Sequence, residues 1–185
     1  MQSAVDLWEG TLRATGGAIS AEKTKWWLFG FTWSAGQWRY TTVDETPATL
    51  SVRDVDGSRT ILTRLAPNEA MKTLGVYIAP DRNNKMELEY LMSAAKRWAD
   101  NIRTGRLPRE LAWQSLQSTI SKTLQYPLSV TTLTKDECDL IVKCYRQTAL
   151  NSLSIVRNFP RKLTHGPKAL QGLGIPHLYT VQGIK

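Results

Sequence analysis

Arg13-Ala14-Thr15-Gly16-Gly17-Ala18-Ile19-Ser20-Ala21-Glu22-Lys23-Thr24-Lys25-Trp26-Trp27 holds the transition on which the reading of the whole chain turns. Upstream of it, residues 3–14 set Val5, Trp8 and Leu12 on one stripe with Asp6, Glu9 and Arg13 around it. That is the spacing of a core-facing surface helix of about three turns. Gly16 is well placed to end such a helix. A short polar loop follows and presents Lys23 just ahead of residues 25–33, an aromatic run with strong strand preference.

Outward from there, Ser34-Ala35-Gly36 reads as a turn and residues 37–43 as the partner strand. Residues 49–54 and 59–65 give a second hairpin about Asp54-Val55-Asp56-Gly57. Asp-x-Asp-Gly is compatible with a calcium loop, but the downstream Glu of the full pattern is missing at the required distance. A tight turn is the stronger reading, and Asp54 with Asp56 is only a weak metal pair. The chain has seven tryptophans. Trp26, Trp27, Trp33 and Trp38 fall at strand positions, where cross-strand aromatic packing explains them better than base stacking or sugar binding. Residues 71–78 read as one short apolar strand, and residues 79–84 turn away from it.

The remainder reads as helical. Leu88, Leu91, Met92, Ala95, Trp98, Ala99 and Ile102 recur at helical spacing, with Lys96, Arg97 and Arg103 mostly off that stripe. Gly105 stops this helix, and Pro108 suits the first turn of a second over residues 108–124. Tyr126-Pro127 breaks it. Thr134-Lys135-Asp136-Glu137 has the Thr-x-x-Glu form of a capping box and starts a third helix. Three helices with such short connections fold into a compact bundle. From residue 158 the chain is punctuated by Gly and Pro and reads as an irregular tail.

At 185 residues, 42% hydrophobic and 22% charged, the chain is in the range of one globular domain or one and a half small ones. No apolar run approaches a membrane span, and the first residues lack a basic region followed by an apolar stretch. The expectation is a soluble, intracellular protein with no membrane partner. The net charge of +8 is uneven. Residues 1–70 carry 7 Lys and Arg against 8 Asp and Glu, a net of −1; residues 71–185 carry 17 against 8, a net of +9. Such a field attracts polyanions and gives salt-sensitive binding to nucleic acid, or it serves solubility alone; charge leaves both open. Cys138 and Cys144 point apart on a helix and read as free thiols of a reducing compartment. Dinucleotide, phosphate-loop, serine-hydrolase and zinc-protease motifs are missing from the sequence. His165 and His177 both sit in the tail beside Gly or Pro, where packing is a commoner role than catalysis.

In their order along the chain, residues 13–27 and Met71-Lys72-Thr73-Leu74-Gly75-Val76-Tyr77-Ile78 resemble the fourth and fifth sequence motifs of a reverse transcriptase palm, residues 15–24 being similar to the loop between the palm helix and the following strand. The resemblance is to RNA-directed DNA polymerases of retroelements without long terminal repeats. Gly172-Leu173-Gly174-Ile175-Pro176-His177-Leu178 is similar to a stretch that follows the thumb in many of them. The implied fold class is α+β: an N-terminal helix and small antiparallel sheet, the end of a polymerase palm, then a helical thumb-like bundle. The implied segments are residues 1–80 as palm end with a hairpin insertion, 81–157 as thumb, and 158–185 as tail. With the usual palm partners missing, Trp26, Phe29 or Trp33 are expected to be exposed.

The resemblance also assigns roles. Lys23 corresponds to a lysine that steadies the incoming triphosphate or protonates pyrophosphate; the plainer reading is a solvated Lys in a turn. Thr73, Leu74 and Gly75 correspond to the primer grip; the plainer reading is a buried strand with a packing glycine. Lys96, Arg97, Arg103, Arg106, Arg109 and Lys122 are candidates for phosphate contacts of a thumb on an RNA/DNA template–primer duplex. Two-metal nucleotidyl transfer needs carboxylates, here an early palm Asp and an aromatic-x-Asp-Asp turn. The sequence has neither and begins just after where that turn would stand. No metal site or cofactor is therefore assigned to this chain, Mg²⁺ belonging to the intact enzyme, and the chain alone is expected not to polymerise. Three readings stay open: a truncated or degenerate reverse transcriptase, a non-catalytic nucleic-acid-binding module, and an independent domain with incidental charge.

Overall fold

The N-terminal segment forms α1 (Gln2–Ala14), which ends where Gly16 takes a φ of 81° and Gly17 N–H returns to Leu12 O at 2.8 Å. The computed structural model describes residues 1–54 and 56–183 and has the α+β class. It divides into two units. The first is Met1–Met71 with Ala79–Asp81; the second is Lys72–Ile78 with the chain from Arg82 onward.

In the first unit the expected single antiparallel sheet is replaced by three two-stranded ladders. β2 (Phe31–Ser34) pairs antiparallel with β3 (Gln37–Tyr40), and β4 (Ser51–Arg53) with β5 (Arg59–Ile61). β1 (Lys25–Trp27) instead pairs parallel with β6 (Thr63–Leu65). Both aromatic and apolar runs are interrupted for local reasons. Residues 25–33 break at Leu28–Gly30, where Gly30 O accepts from Thr41 N–H at 2.9 Å. Residues 59–65 break at Leu62, which buries its side chain and donates its N–H to Leu50 O at 2.8 Å. The segments on either side of Leu62 then serve different partners. Trp26, Leu50, Val52 and Leu62 make the core, with Val5, Ile19 and Leu28 packed on it.

The helix stripe is also corrected. Trp8 is 60% exposed, whereas Glu9 is 4% exposed. Polar side chains of α1 close the open edge of β4. The Gln2 amide exchanges two hydrogen bonds with the Ser51 backbone, at 2.8 and 2.9 Å. Glu9 accepts from Arg53 N–H at 3.2 Å, and Arg13 donates to the carbonyls of Arg53 and Asp54 at 2.9 Å each. Burying backbone groups unpaired is costly, so a strand edge under a helix selects hydrogen-bonding residues there. The hairpin turn after β4 closes through Asp54 N–H to Ser58 O at 2.7 Å; Val55 of that turn lies outside the described residues. Phe29, Phe31, Trp33 and Trp38 are more than half exposed, while Trp26 is buried.

Residues 71–78 are not one strand but a hairpin, β7 (Met71–Thr73) and β8 (Val76–Ile78). Leu74 and Gly75 make its two-residue turn with φ of 49° and 91°, positive at both positions as the tightest hairpin turns require. The sequence signal for this turn is weak because Leu resists a positive φ. The second unit continues with α2 (Lys85–Gly105), α3 (Arg109–Ser115), a π-helical turn (Leu116–Ile120), α4 (Ser121–Gln125) and a 3-10 turn (Tyr126–Ser129). α5 (Lys135–Ser152) starts at the capping box: Glu137 N–H to Thr134 Oγ1 at 3.3 Å, Thr134 N–H to Glu137 Oε2 at 2.7 Å. α2 and α5 pack through Leu91, Ala95, Trp98, Cys138, Ile141 and Tyr145.

The segment expected to be irregular has helical turns of its own, α6 (Arg161–His165) and α7 (Leu178–Gly183). Ile175 and Leu178 enter the α2–α5 core, at 5% and 1% exposure, which is what orders this Gly- and Pro-rich stretch. It folds back on α6 through Leu173 N–H to Leu163 O at 2.9 Å and Ile175 N–H to Thr164 O at 3.1 Å. The return passes so close that a Cβ on Gly172 would stand 2.2 Å from Gly166 O. Gly172→Ala therefore forces backbone apart and is expected to cost about 1–3 kcal/mol. A lowered Tm together with faster proteolysis after residue 160 checks it; an unchanged Tm contradicts the close approach.

Candidate nucleic-acid interface

Lys23 is exposed in the turn that Thr24 N–H closes on Ser20 O at 3.0 Å. Thr73, Leu74 and Gly75 form the tip of the β7–β8 hairpin, and Leu74 is 87% exposed there. This hairpin is fixed to the helical unit from three directions. Tyr126 Oη donates to Leu74 O at 2.9 Å. Tyr77 N–H donates to Glu87 Oε2 at 2.7 Å. Lys72 Nζ lies 4.1 Å from the ring centre of Tyr90 and 5.4 Å from that of Tyr77. Glu87 is buried, and the burial raises its pKa against the opposing pull of the Tyr77 N–H and of Lys72. The tip is thus a projecting apolar residue held in a strained conformation on a firm base.

The cations nominated from the sequence are all exposed, but the structure does not make them one cluster. Lys96 and Arg97 share a shallow depression of about 480 Å³ on α2 with Glu89 and Asp100. Asp100 also takes Arg103, at 2.7 Å. Arg106 ends α2 with a φ of 46°, Arg109 opens α3, and Lys122 lies on α4. Glu89 and Asp100 interleave with the α2 cations and offset their charge locally.

A more strongly basic feature was not singled out in the sequence. A groove of about 740 Å³ runs between α5 and the segment after it. Lys135, Lys143 and Arg146 line it from α5, and Arg157, Arg161 and Lys162 from the other wall. Asp139 is the one carboxylate among its described lining residues. It sits 3.9 Å from Arg161 and 3.6 Å from His177 Nε2, too far for strong pairing with either. Arg146 donates to Phe159 O at 2.8 Å and so ties the two walls together. The helical spacing of Lys135, Lys143 and Arg146, followed by the basic run after residue 156, is the signal that would have found this face.

His165 and His177 meet edge to face in the groove, ring centres 4.8 Å apart. His165 Nδ1 is 2.9 Å from Ile175 O, which fixes Nδ1 as the protonated nitrogen. Burial, first, and the nearby His177, Arg146 and Arg161 lower the His165 pKa, with the Ile175 carbonyl opposing them. Elsewhere in this unit the Cys138 thiol is pushed up to about 11 and the Tyr145 hydroxyl to about 12, both mainly by burial. They are packing groups.

Among the described residues no group of three or more His, Cys, Asp or Glu side chains is placed to hold a metal ion. Asp56 is engaged by its own turn, accepting from Ser58 N–H at 2.9 Å and from Ser58 Oγ at 2.6 Å. No helix among the described residues is long and apolar enough to cross a membrane. Compared with protein families, curated proteins and solved structures, the chain has no match.

The lowered pKa of His165 has a definite sign. The unfolded chain takes up this proton first, so the stability due to neutral His165 is complete above its ordinary pKa of about 6.5 and is lost as pH falls from there through the lower pKa of the folded state. His165→Asn keeps a donor toward Ile175 O without titrating. Urea midpoints at neutral and at mildly acidic pH should fall more for the native chain than for this variant; equal losses contradict the assignment.

Proposed function

We propose that this chain is the palm-end and thumb portion of a retroelement reverse transcriptase, acting by itself as a nucleic-acid-binding module and not as a polymerase. The observation that carries the reading is the segregation of charge: a net of −1 over residues 1–70 against +9 over residues 71–185. The order of the elements supports it as well, a tight hairpin at residues 71–78 leading into a helical unit. Arg97, Arg106 and Arg109 stand on the outer surface of α2 and α3, and among the described residues none has an ion-pair partner. Such cations bind the phosphates of a duplex with little sequence preference and release counterions as they do so. In this reading the Leu74 tip rests against the primer strand, and Lys23 plays no chemical part without a metal-bound triphosphate.

Two measurements test it. Replacing Arg97, Arg106 and Arg109 together by Gln should lower the slope of log K against log salt for an RNA–DNA duplex by about 2, at 0.7–0.9 per phosphate contact. The same change at Arg39, Arg53 and Arg59 should leave the slope alone, because Arg39 and Arg59 already pair with Glu45 and Asp6. Equal slopes for the two variants reduce the charge to an incidental property. Separately, purified protein should extend no primer on RNA or DNA templates with Mg²⁺ or Mn²⁺, and extension that co-purifies with the chain refutes the argument from missing carboxylates.

A further inference from the structure

We propose that the groove between α5 and the C-terminal segment is a second binding site, specific for single-stranded nucleic acid. It rests on the reading of the helical unit as a nucleic-acid binder but concerns a different surface from the α2–α3 face. Shape favours a single strand over a duplex: cations stand on both walls and would flank a strand lying between them, whereas a double helix carries its phosphates on the outside of a wider body. Length excludes a compact anion. From Lys135 to Leu150 the groove follows about 22 Å of helix, at 1.5 Å per residue. Cations strung along that length match the repeating charge of a phosphodiester strand.

The remaining surface suits bases. Tyr179, 47% exposed, offers a ring on the groove's lining. A base–aromatic stack is tolerant of sequence because every base has a π-face. At about 740 Å³ the space is in the range that encloses a nucleotide-sized group rather than a bare phosphate. Two buried nitrogens on the lining, Arg146 Nε and His177 Nδ1, have no hydrogen-bond partner among the described residues. Asp139 lies against this field and sets a ceiling on affinity.

The experiment measures binding of the full chain to fluorescent oligo(dT) of about twelve nucleotides and to a duplex of the same length, across salt. Lys143, Arg161 and Lys162 are exposed, so changing all three to Gln should spare the fold; a Tm within a few degrees of native confirms it. This variant should lose about tenfold or more in oligo(dT) affinity and about 2 in salt slope, with duplex binding unchanged. Tyr179→Ala should lose about fivefold or more. Asp139→Asn should bind oligo(dT) more tightly, a gain that misfolding cannot produce. The Arg97, Arg106 and Arg109 variant should lose duplex binding alone. Loss of the duplex reading with these oligo(dT) results intact leaves the groove proposal standing. Native affinity for oligo(dT) in the groove variant overturns it. So does equal competition by polyglutamate, which would mark an acidic-peptide site, or by inorganic polyphosphate with no effect of Tyr179→Ala.

Discussion

The second unit depends on the pairing of α2 with α5. Small residues, Ala95 and Ala99 on one helix and Ala149 on the other, share the interface with Leu91, Trp98, Ile141 and Tyr145. Trp98 and Tyr145 meet edge to face, ring centres 6.1 Å apart, the arrangement that aromatic quadrupoles favour. Each fully buried Leu or Ile contributes about 1.5–3 kcal/mol, and Leu116, Leu124, Leu133 and Leu178 from the flanking elements join the same core. Other elements add their own buried side chains to this pair. Trp98 Nε1 donates to Ser115 Oγ at 2.9 Å and sets α3, while Ile175 and Leu178 insert the C-terminal segment. The groove exists because α5 has one face committed to α2 and another left to carry charge.

The parts legible in the sequence were those fixed by local rules. The α2 stripe, the Thr134–Glu137 capping box and the end of α1 near Gly16 each depend on residues a few positions apart. What was illegible depended on distant partners. The burial of Glu9 and the exposure of Trp8 follow from a strand edge some forty residues away, against both side chains' own preferences. The split of residues 59–65 between two ladders follows from where Leu62 finds its carbonyl. The hairpin at Leu74-Gly75 needs a leucine at positive φ, which only its anchoring by Tyr126 and Glu87 maintains.

The candidate site shows the same division. The cations nominated through the resemblance are exposed, yet exposure says little about field. On α2, Glu89 and Asp100 stand among Lys96, Arg97 and Arg103, and at the surface such mixed pairs are worth little to stability and cancel at a distance. In the groove the same kinds of side chain face each other across a cleft with a single carboxylate, so their potentials add. Opposition across a cleft is a tertiary property. It requires the Gly166–Gly172 passage and the Ile175 and Leu178 anchors, none of which resembles a binding motif.

The contact of α1 with β4 carries a consequence for how the first unit behaves among copies of itself. A two-stranded ladder ordinarily offers open backbone on both sides, and an open edge recruits other strands. Here Gln2, Glu9 and Arg13 occupy one edge with side-chain groups that mimic a neighbouring strand's N–H groups and carbonyls. Because those three residues must all meet their partners at once, they also fix the rotation of the helix about its own axis. Turning α1 by one residue would bury Trp8 at the expense of every one of these bonds. The exposed tryptophan is therefore the visible trace of a helix whose orientation is dictated by a guarded edge and not by its own hydrophobic face.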